Sequence, residues 1–432
     1  LPDNTARRRW IRRHGVFLIV LAIASILLTL NVRTPFWATH DTNGTFFTGV
    51  AANHLRLGLG YTKGQDVIAV TEFGAFPSTA QIPDVLDRYF HGETIPVRYG
   101  DHPPLLGLSI AGMIAVFGEH YTVVRMVPIL YSLLGLILFY LLIVKLFDVG
   151  IARLATLIYT LFPLFAYFGR NVAHESPTLF FGLGLLTGYV WWRDGGPRQR
   201  WWAAVMVVSI VVGGCYGWPM FYLAALLFVF DWVSRRRFDL KMVGLTAVPA
   251  VLTFAAVIGQ IAWAFGGSLS HLVSIFATRG SGGDEGVTAG DWFERIIYIH
   301  GVDNFGRFVV WVLPVGVAFV AYQTFREHFS QRTMIVTTLG SWGLLHILLF
   351  REGAFVHVYW QFYLLPFVAL AIAWPTVEAA RRLLTPAWLR SGAFVVAGLY
   401  LWAMNQERIR ALYESTSIGV KPIQTVWSAF LS

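Results

Sequence analysis

The sequence is short of charge and almost without cysteine. Asp, Glu, Lys and Arg make up 13% of its 432 residues, where soluble proteins carry about 25%. So little charge excludes an ordinary soluble domain and a polar disordered chain. The single cysteine, Cys215, excludes an intrachain disulfide and a thiolate metal cluster. H-E-x-x-H, the P-loop, the G-x-S-x-G elbow and a zinc-spaced C-x-x-C are all missing. There is no repeat of 20–50 residues, and no inverted pair of broken helices of the transporter kind.

What is present is apolar. Hydrophobic residues reach 56%, with 17 Trp and 34 Phe, and the mean hydropathy is +0.59. Aromatic rings in such number suit membrane interfaces. The expected fold is an all-α polytopic membrane protein.

Arg7, Arg8, Arg9, Arg12 and Arg13 precede the apolar run Val16–Val32. That pattern predicts a retained signal-anchor helix with its N-terminus in the cytoplasm. Pro104–Phe117 is apolar but about 14 residues long, which suits a helix lying along the membrane surface better than a crossing. Leaving it out predicts about eleven spans: 15–32, 122–147, 151–168, 175–192, 201–216, 218–233, 243–265, 308–323, 333–350, 356–374 and 390–404. Short cytoplasmic connections then hold Lys145, Arg153, Arg193, Arg198, Arg200, Arg235–Arg237, Lys241, Arg326, Arg332, Arg381, Arg382 and Arg390. With the N-terminal arginines these are more than half of the 33 basic residues. The positive-inside rule therefore fixes this parity and an outer C-terminus. Basic residues spent on topology also argue against nucleic acid as a partner of this +9 chain.

Residues 1–404 are read as one transmembrane domain and 405–432 as a short outer tail. Two outer segments are long, 33–121 and 266–307. The first opens on His40-Asp41-Thr42-Asn43-Gly44 and closes on Asp101-His102-Pro103-Pro104. Within it, Ala51–Gly58 reads as an amphipathic interfacial helix, while Gln65–Arg98 has no clear assignment. The second carries a glycine-rich, charged tract around Arg279-Gly280.

Polar side chains collect at this outer face. Asp41 could be a partly desolvated base or a helix cap. His102 could bind phosphate or form a capping turn before Pro104. Arg170, His174 and Glu175 share one short loop, where charge is costly unless paired or used. Glu175 could equally favour a helix dipole. His357, Tyr359 and Gln361 alternate before Pro366, as ligands or interfacial anchors. Arg279, Arg295 and Arg307 offer guanidinium forks for a phosphate, or are solvated charges.

These elements resemble the GT-C glycosyltransferases, specifically the protein O-mannosyltransferase and aminoarabinose-transferase group (glycosyltransferase families 39 and 83). The resemblance rests on Asp41 in the first outer loop, His102-Pro103-Pro104-Leu105, and Phe117-Gly118 followed by Arg125–Pro128. It also rests on Arg170 with Glu175, and on His357, Tyr359 and Pro366. It covers roughly residues 15–370. Glu175 stands where Asp is common.

The resemblance implies a GT-C bundle using a sugar on a polyprenyl phosphate as donor. It implies an unidentified acceptor hydroxyl on protein, lipid or glycan. Asp41 would act as base in an inverting displacement on the outer face, and Glu175 would orient Arg170, the acceptor or a metal. His102, Arg170, His174, Arg279, His357 and Tyr359 would bind substrate and phosphate. Related enzymes differ in metal use. Mg²⁺ or Mn²⁺ would suit Asp41 and Glu175, although a phosphate leaving group does not require one. Two other readings are a flippase or transporter for a lipid-linked sugar, and a catalytically inactive GT-C subunit of a membrane complex.

Overall fold

A computed structural model of the chain describes residues 4–71, 95–281, 288–384 and 386–414. Helix α1 (Asn4–Thr29) leads to α2 (Thr42–Thr62), strands β1 (Asp66–Thr71) and β2 (Ile95–Tyr99), and α3 (Leu105–Phe117). The bundle continues as α4 (Tyr121–Leu146), α5 (Val149–Leu161), α6 (Pro163–Phe168), α7 (Glu175–Arg193), α8 (Gln199–Tyr216) and α9 (Pro219–Arg235). Next come α10 (Leu240–Ala264, with a π turn at Val243–Ala247) and α11 (Ser270–Ser281). Helix α12 (Ala289–Phe293) passes through a π turn (Glu294–His300) into α13 (Gly301–Phe305). The chain ends in α14 (Arg307–Arg326), α15 (Gln331–Leu349), α16 (Arg351–Val356), a 3₁₀ segment (Val358–Leu364), α17 (Leu365–Leu383) and α18 (Ala387–Glu414).

Among the described residues, five helices are long and apolar enough to cross a membrane: Tyr121–Leu146, Leu240–Ala264, Arg307–Arg326, Gln331–Leu349 and Val358–Leu383. The chain is an integral membrane protein. Each of the segments expected to span falls on helix, and Leu105–Phe117 is a helix of 13 residues. Two expected spans are interrupted: 356–374 holds an extended His357 and a 3₁₀ segment before its α-helix, and 151–168 is two helices. Pro163 forces Phe162 into an extended conformation (ψ 135°), which ends α5 and starts α6.

The sequence reading needs three further changes. First, the chain is not wholly helical, because the ends of the unassigned stretch 65–98 pair as an antiparallel hairpin, Asp66 opposite Tyr99. Alternating residues of a strand face opposite sides, and so few of them leave a weak signal among apolar helices. Residues 72–94 lie outside the described residues. Second, the helix expected at Ala51–Gly58 begins at Thr42 and continues past a non-helical Gly58 (φ 77°) to Thr62. Third, residues 405–414 continue α18 and dock on the bundle. Asn405 donates to the Leu161 carbonyl (3.1 Å) and Tyr413 to that of Leu27 (2.7 Å). Residues 415–432 lie outside the described residues.

Small residues let helices approach closely where lipid supplies no hydrophobic drive between them. At Gly316 a Cβ would run into the Ala371 carbonyl oxygen, so α14 rests directly on the backbone of α17. Gly316→Ala is expected to destabilise by about 1–3 kcal/mol through overpacking and to lower the melting temperature in detergent. Gly259→Ala, which meets nothing within 4 Å, should leave it unchanged. Equal melts for the two variants would refute the contact.

Candidate functional site

A narrow cavity opens where five connections converge at one end of the bundle. Asp101 and His102 line it from the turn before α3, His174 and Glu175 from the turn into α7, and Trp218 from the break before α9. Arg279 reaches it from α11, and His346, Trp360 and Tyr363 form an aromatic wall. Prolines set two of these edges. Pro219 begins α9, and Pro104 precedes α3, where a missing amide proton costs nothing.

His102 and His174 stack at 4.4 Å with 18° between their planes. His174 Nδ1 lies 2.7 Å from the Tyr216 carbonyl. A carbonyl only accepts, so Nδ1 carries the proton and Nε2 is left as an acceptor. Nε2 is buried without a partner, as are His102 Nδ1, Glu175 Oε2 and His346 Nε2. An unsatisfied buried polar atom costs about 1–3 kcal/mol. Four such atoms around one cavity mark a place that a polar ligand or water completes. Burial pushes the His174 pKa down to about 4. Burial, then the neighbouring His174, holds His102 well below the ordinary imidazole range. Both rings are therefore neutral at pH 7.

The mouth is held by polar contacts that the second long loop makes with the first and with the turn at Arg351–Val356. Arg279 Nη1 meets Glu352 Oε2 at 2.8 Å. His271 Nε2 lies 3.1 Å from Asp101 Oδ1, and Trp218 Nε1 donates to the Asp101 carbonyl at 2.7 Å. Helix α11 thus docks against the end of the first loop.

Asp41 is placed differently. Its side chain caps no amide of α2, which removes the cap reading. It accepts from the Ala38 amide (3.2 Å) and pairs with Arg125 (3.0 Å). Arg125 also donates to the carbonyls of Val32, Thr34 and Pro35 and stacks 4.3 Å over Phe36. Asp41 is buried and does not line the cavity. The helix it opens does reach it: Phe47 meets His174 at 5.3 Å. Asn43 Nδ2 donates to Tyr359 Oη at 3.1 Å. Tyr359 in turn lies 3.4 Å from His357 Nδ1 and 5.2 Å from the His40 ring. His357 and Tyr359 therefore form a second cluster beside the cavity.

Arg170 is not brought to Glu175 as a partner. It donates to the Leu30 carbonyl and lies 4.3 Å over Tyr413, tying α1 to α18. Arg295 donates to the Phe355 carbonyl (2.8 Å), and Arg307 is exposed. No group of three or more His, Cys, Asp or Glu side chains is placed to hold a metal ion among the described residues. Asp41 and Glu175 are not presented to one space: Asp41 pairs with Arg125 outside the cavity that Glu175 lines. Trp218, His346, Trp360 and Tyr363 were not foreseen. For His346 a signal existed, an imidazole inside an apolar run.

A family model for dolichyl-phosphate-mannose-protein mannosyltransferase matches residues 101–263. That range contains His102, Arg125, Arg170, His174 and Glu175. Among solved structures, ArnT from Cupriavidus metallidurans bound to undecaprenyl phosphate is similar with a TM-score of 0.62 at 12% identity. That match covers 89% of this chain and 63% of ArnT. This is the GT-C fold. The archaeal oligosaccharyltransferase AglB from Archaeoglobus fulgidus, in complex with an inhibitory peptide and a dolichol-phosphate, shares it. The TM-score is 0.59 at 13% identity, covering 94% of this chain and 57% of AglB. The chain spans about three fifths of the length of these two proteins. No curated protein matches its sequence.

The buried imidazole makes stability depend on pH. An unfolded His174 takes up its proton near pH ~6.5, the folded one only near pH 4. Stability is therefore complete above that unfolded value and declines as pH falls toward 4, by roughly 3 kcal/mol for this group. Thermal melts of the detergent-solubilised protein across this window should show the decline. His174→Gln should flatten it, and an unchanged slope would disprove the assignment.

Proposed function

We propose that this protein is a membrane glycosyltransferase that moves a sugar from a polyprenyl-phosphate donor to an acceptor hydroxyl with inversion. The observation that carries this reading is the cavity itself. It gathers an arginine, two neutral imidazoles, a carboxylate with an unshared oxygen and an aromatic wall between the two long loops. The GT-C fold supports it, since ArnT and AglB were solved with undecaprenyl phosphate and dolichol-phosphate. The eleven helical segments all cross in this reading. The arginine-rich N-terminus and short connections then lie in the cytoplasm, and the cavity faces the opposite, outer side.

The chemistry follows from the residues. Arg279 binds the donor phosphate through the guanidinium donors that its pair with Glu352 leaves over. His102 and His174 accept hydrogen bonds from sugar or acceptor hydroxyls through their free nitrogens. The acceptor oxygen attacks the anomeric carbon while a carboxylate takes its proton. The bond from that carbon to the phosphate oxygen breaks, and polyprenyl phosphate leaves with its electron pair. We assign proton acceptance to Glu175, the carboxylate that faces the cavity with an unshared oxygen. Asp41, which the resemblance casts as base, is committed to Arg125 and acts by setting the first loop. Phosphate is a good leaving group, so these groups suffice without an acid.

Transfer from a polyprenyl-phosphate sugar to an acceptor, measured with purified protein in lipid, tests this. Glu175→Gln should lower kcat by about 10²–10⁴, as for loss of a general base, with donor KM little changed. Arg279→Ala should raise donor KM. Arg125→Ala, which also loses three carbonyls, should cost more than Asp41→Asn, and the two should combine to less than their sum because they share the Asp41–Arg125 contact. If Asp41→Asn abolishes transfer while Arg125→Ala is mild, Asp41 is the base instead. Donor crossing vesicles with no transfer would overturn the enzyme reading.

A further inference from the structure

Helix α15 carries His346 of the cavity near one end and Arg332 near the other. They are fourteen residues apart, about 21 Å along the axis at 1.5 Å per residue. Around Arg332, at the end of the bundle away from the candidate site, lies a second cavity of about 220 Å³. Arg326, Arg332 and Arg382 line it, with Gln323, Glu327 and Glu378.

The ion pairs there leave a cationic remainder. Arg332 donates from Nε to Glu327 Oε2 at 2.7 Å and from Nη2 to the other carboxylate oxygen. Its guanidinium also sits 5.5 Å from the Trp374 ring centre. This arginine is therefore spent on fixing the wall. Glu378 is used by Arg381 at 3.4 Å. Among the described residues, Arg326 and Arg382 have no hydrogen-bond or ion-pair partner. Two free guanidinium groups thus face one polar cavity whose acids are already engaged.

The surroundings are apolar. On α14, Tyr322 and Phe325 are 58% and 82% exposed, and on α17 Leu383 is 78% exposed. Helix α14 as a whole shows only 22% burial over its most apolar stretch. A free phosphate would use the arginines but none of this surface. A lipid would use both, its head group between the forks and its chains along Tyr322, Phe325 and Leu383.

We propose that this cavity is a binding site for the phosphate head group of an anionic phospholipid, held by Arg326 and Arg382. Each arginine near an anionic lipid surface contributes about a factor of five in affinity. The pair together is worth about thirtyfold.

The test uses the full chain in detergent. Native mass spectrometry and thermal melts follow titration with phosphatidylglycerol, phosphatidylcholine or inorganic phosphate. Phosphatidylglycerol is expected to bind and raise the melting temperature, while phosphatidylcholine and inorganic phosphate do neither. In Arg326→Gln/Arg382→Gln the phosphatidylglycerol affinity should fall about thirtyfold. Equal binding of the two lipids, or undiminished binding in the folded double variant, would overturn the proposal. So would inorganic phosphate matching phosphatidylglycerol, since the site would then be for a free anion. Should the double variant not fold, the comparison of the three ligands on the unaltered protein still decides.

Discussion

Arg125 is a fully buried arginine in an apolar helix, and its hydrogen bonds anchor the start of the first loop. In such a medium an unpaired guanidinium is expensive, so its donors must be met. Both Nη groups are met, by three carbonyls that follow α1 and by Asp41, and only Nε is left without a partner. The chain leaving α1 is thereby folded over the end of α4, and α2 must begin at Asp41. From that origin Asn43 reaches Tyr359 and Phe47 reaches His174. The walls of the cavity depend on these contacts, although Arg125 touches none of the cavity itself.

Polar groups elsewhere in the bundle show the contrast that gives the cavity meaning. Arg193 is divided between Asp231 (2.5 Å) and Asp239 (2.8 Å), and Tyr189 also donates to Asp231. Asn304 donates to the Val358 carbonyl and to Gln361, which continues to the Ile296 carbonyl. Such networks brace helices against one another. Each of these networks still leaves a single atom open, Arg193 Nε and Asn304 Oδ1, whereas at the cavity four imidazole and carboxylate atoms are left open around one space. Structure alone gains nothing from that arrangement, while a hydroxyl-rich ligand would complete it. Aromatic rings at the same wall, Trp360 and Tyr363, add flat apolar faces of the sort that a sugar ring can rest on.

Much of the architecture was legible beforehand. Apolar runs separated by arginine-rich turns marked the helices within a few residues, because each span must satisfy its own backbone in lipid. Pro104–Phe117 was legible as a short helix from its length. The hairpin was not, since its strands lie far apart in the chain around residues 72–94. Of the candidate site, His102, His174, Glu175 and Arg279 stood out as polar residues at the ends of apolar segments, and they converge. Arg170 stood out equally and does not, because a side chain's direction depends on which carbonyl and ring lie nearest after packing. Trp360 was hidden, because an aromatic residue beside a span resembles any other core residue, whereas His346 was marked as an imidazole inside an apolar run.

Composition and charge placement by themselves determined that this is a helical membrane protein and which segment ends carry its polar groups. Those properties follow from the cost of moving charge and backbone into lipid, which is local to each segment. Only tertiary structure decided which polar groups meet. It gave Asp41 to Arg125, gave Arg170 to Leu30 and Tyr413, and left Glu175 facing the paired imidazoles. Such choices depend on distances between segments hundreds of residues apart, set by how helices such as α14 and α17 pack at Gly316.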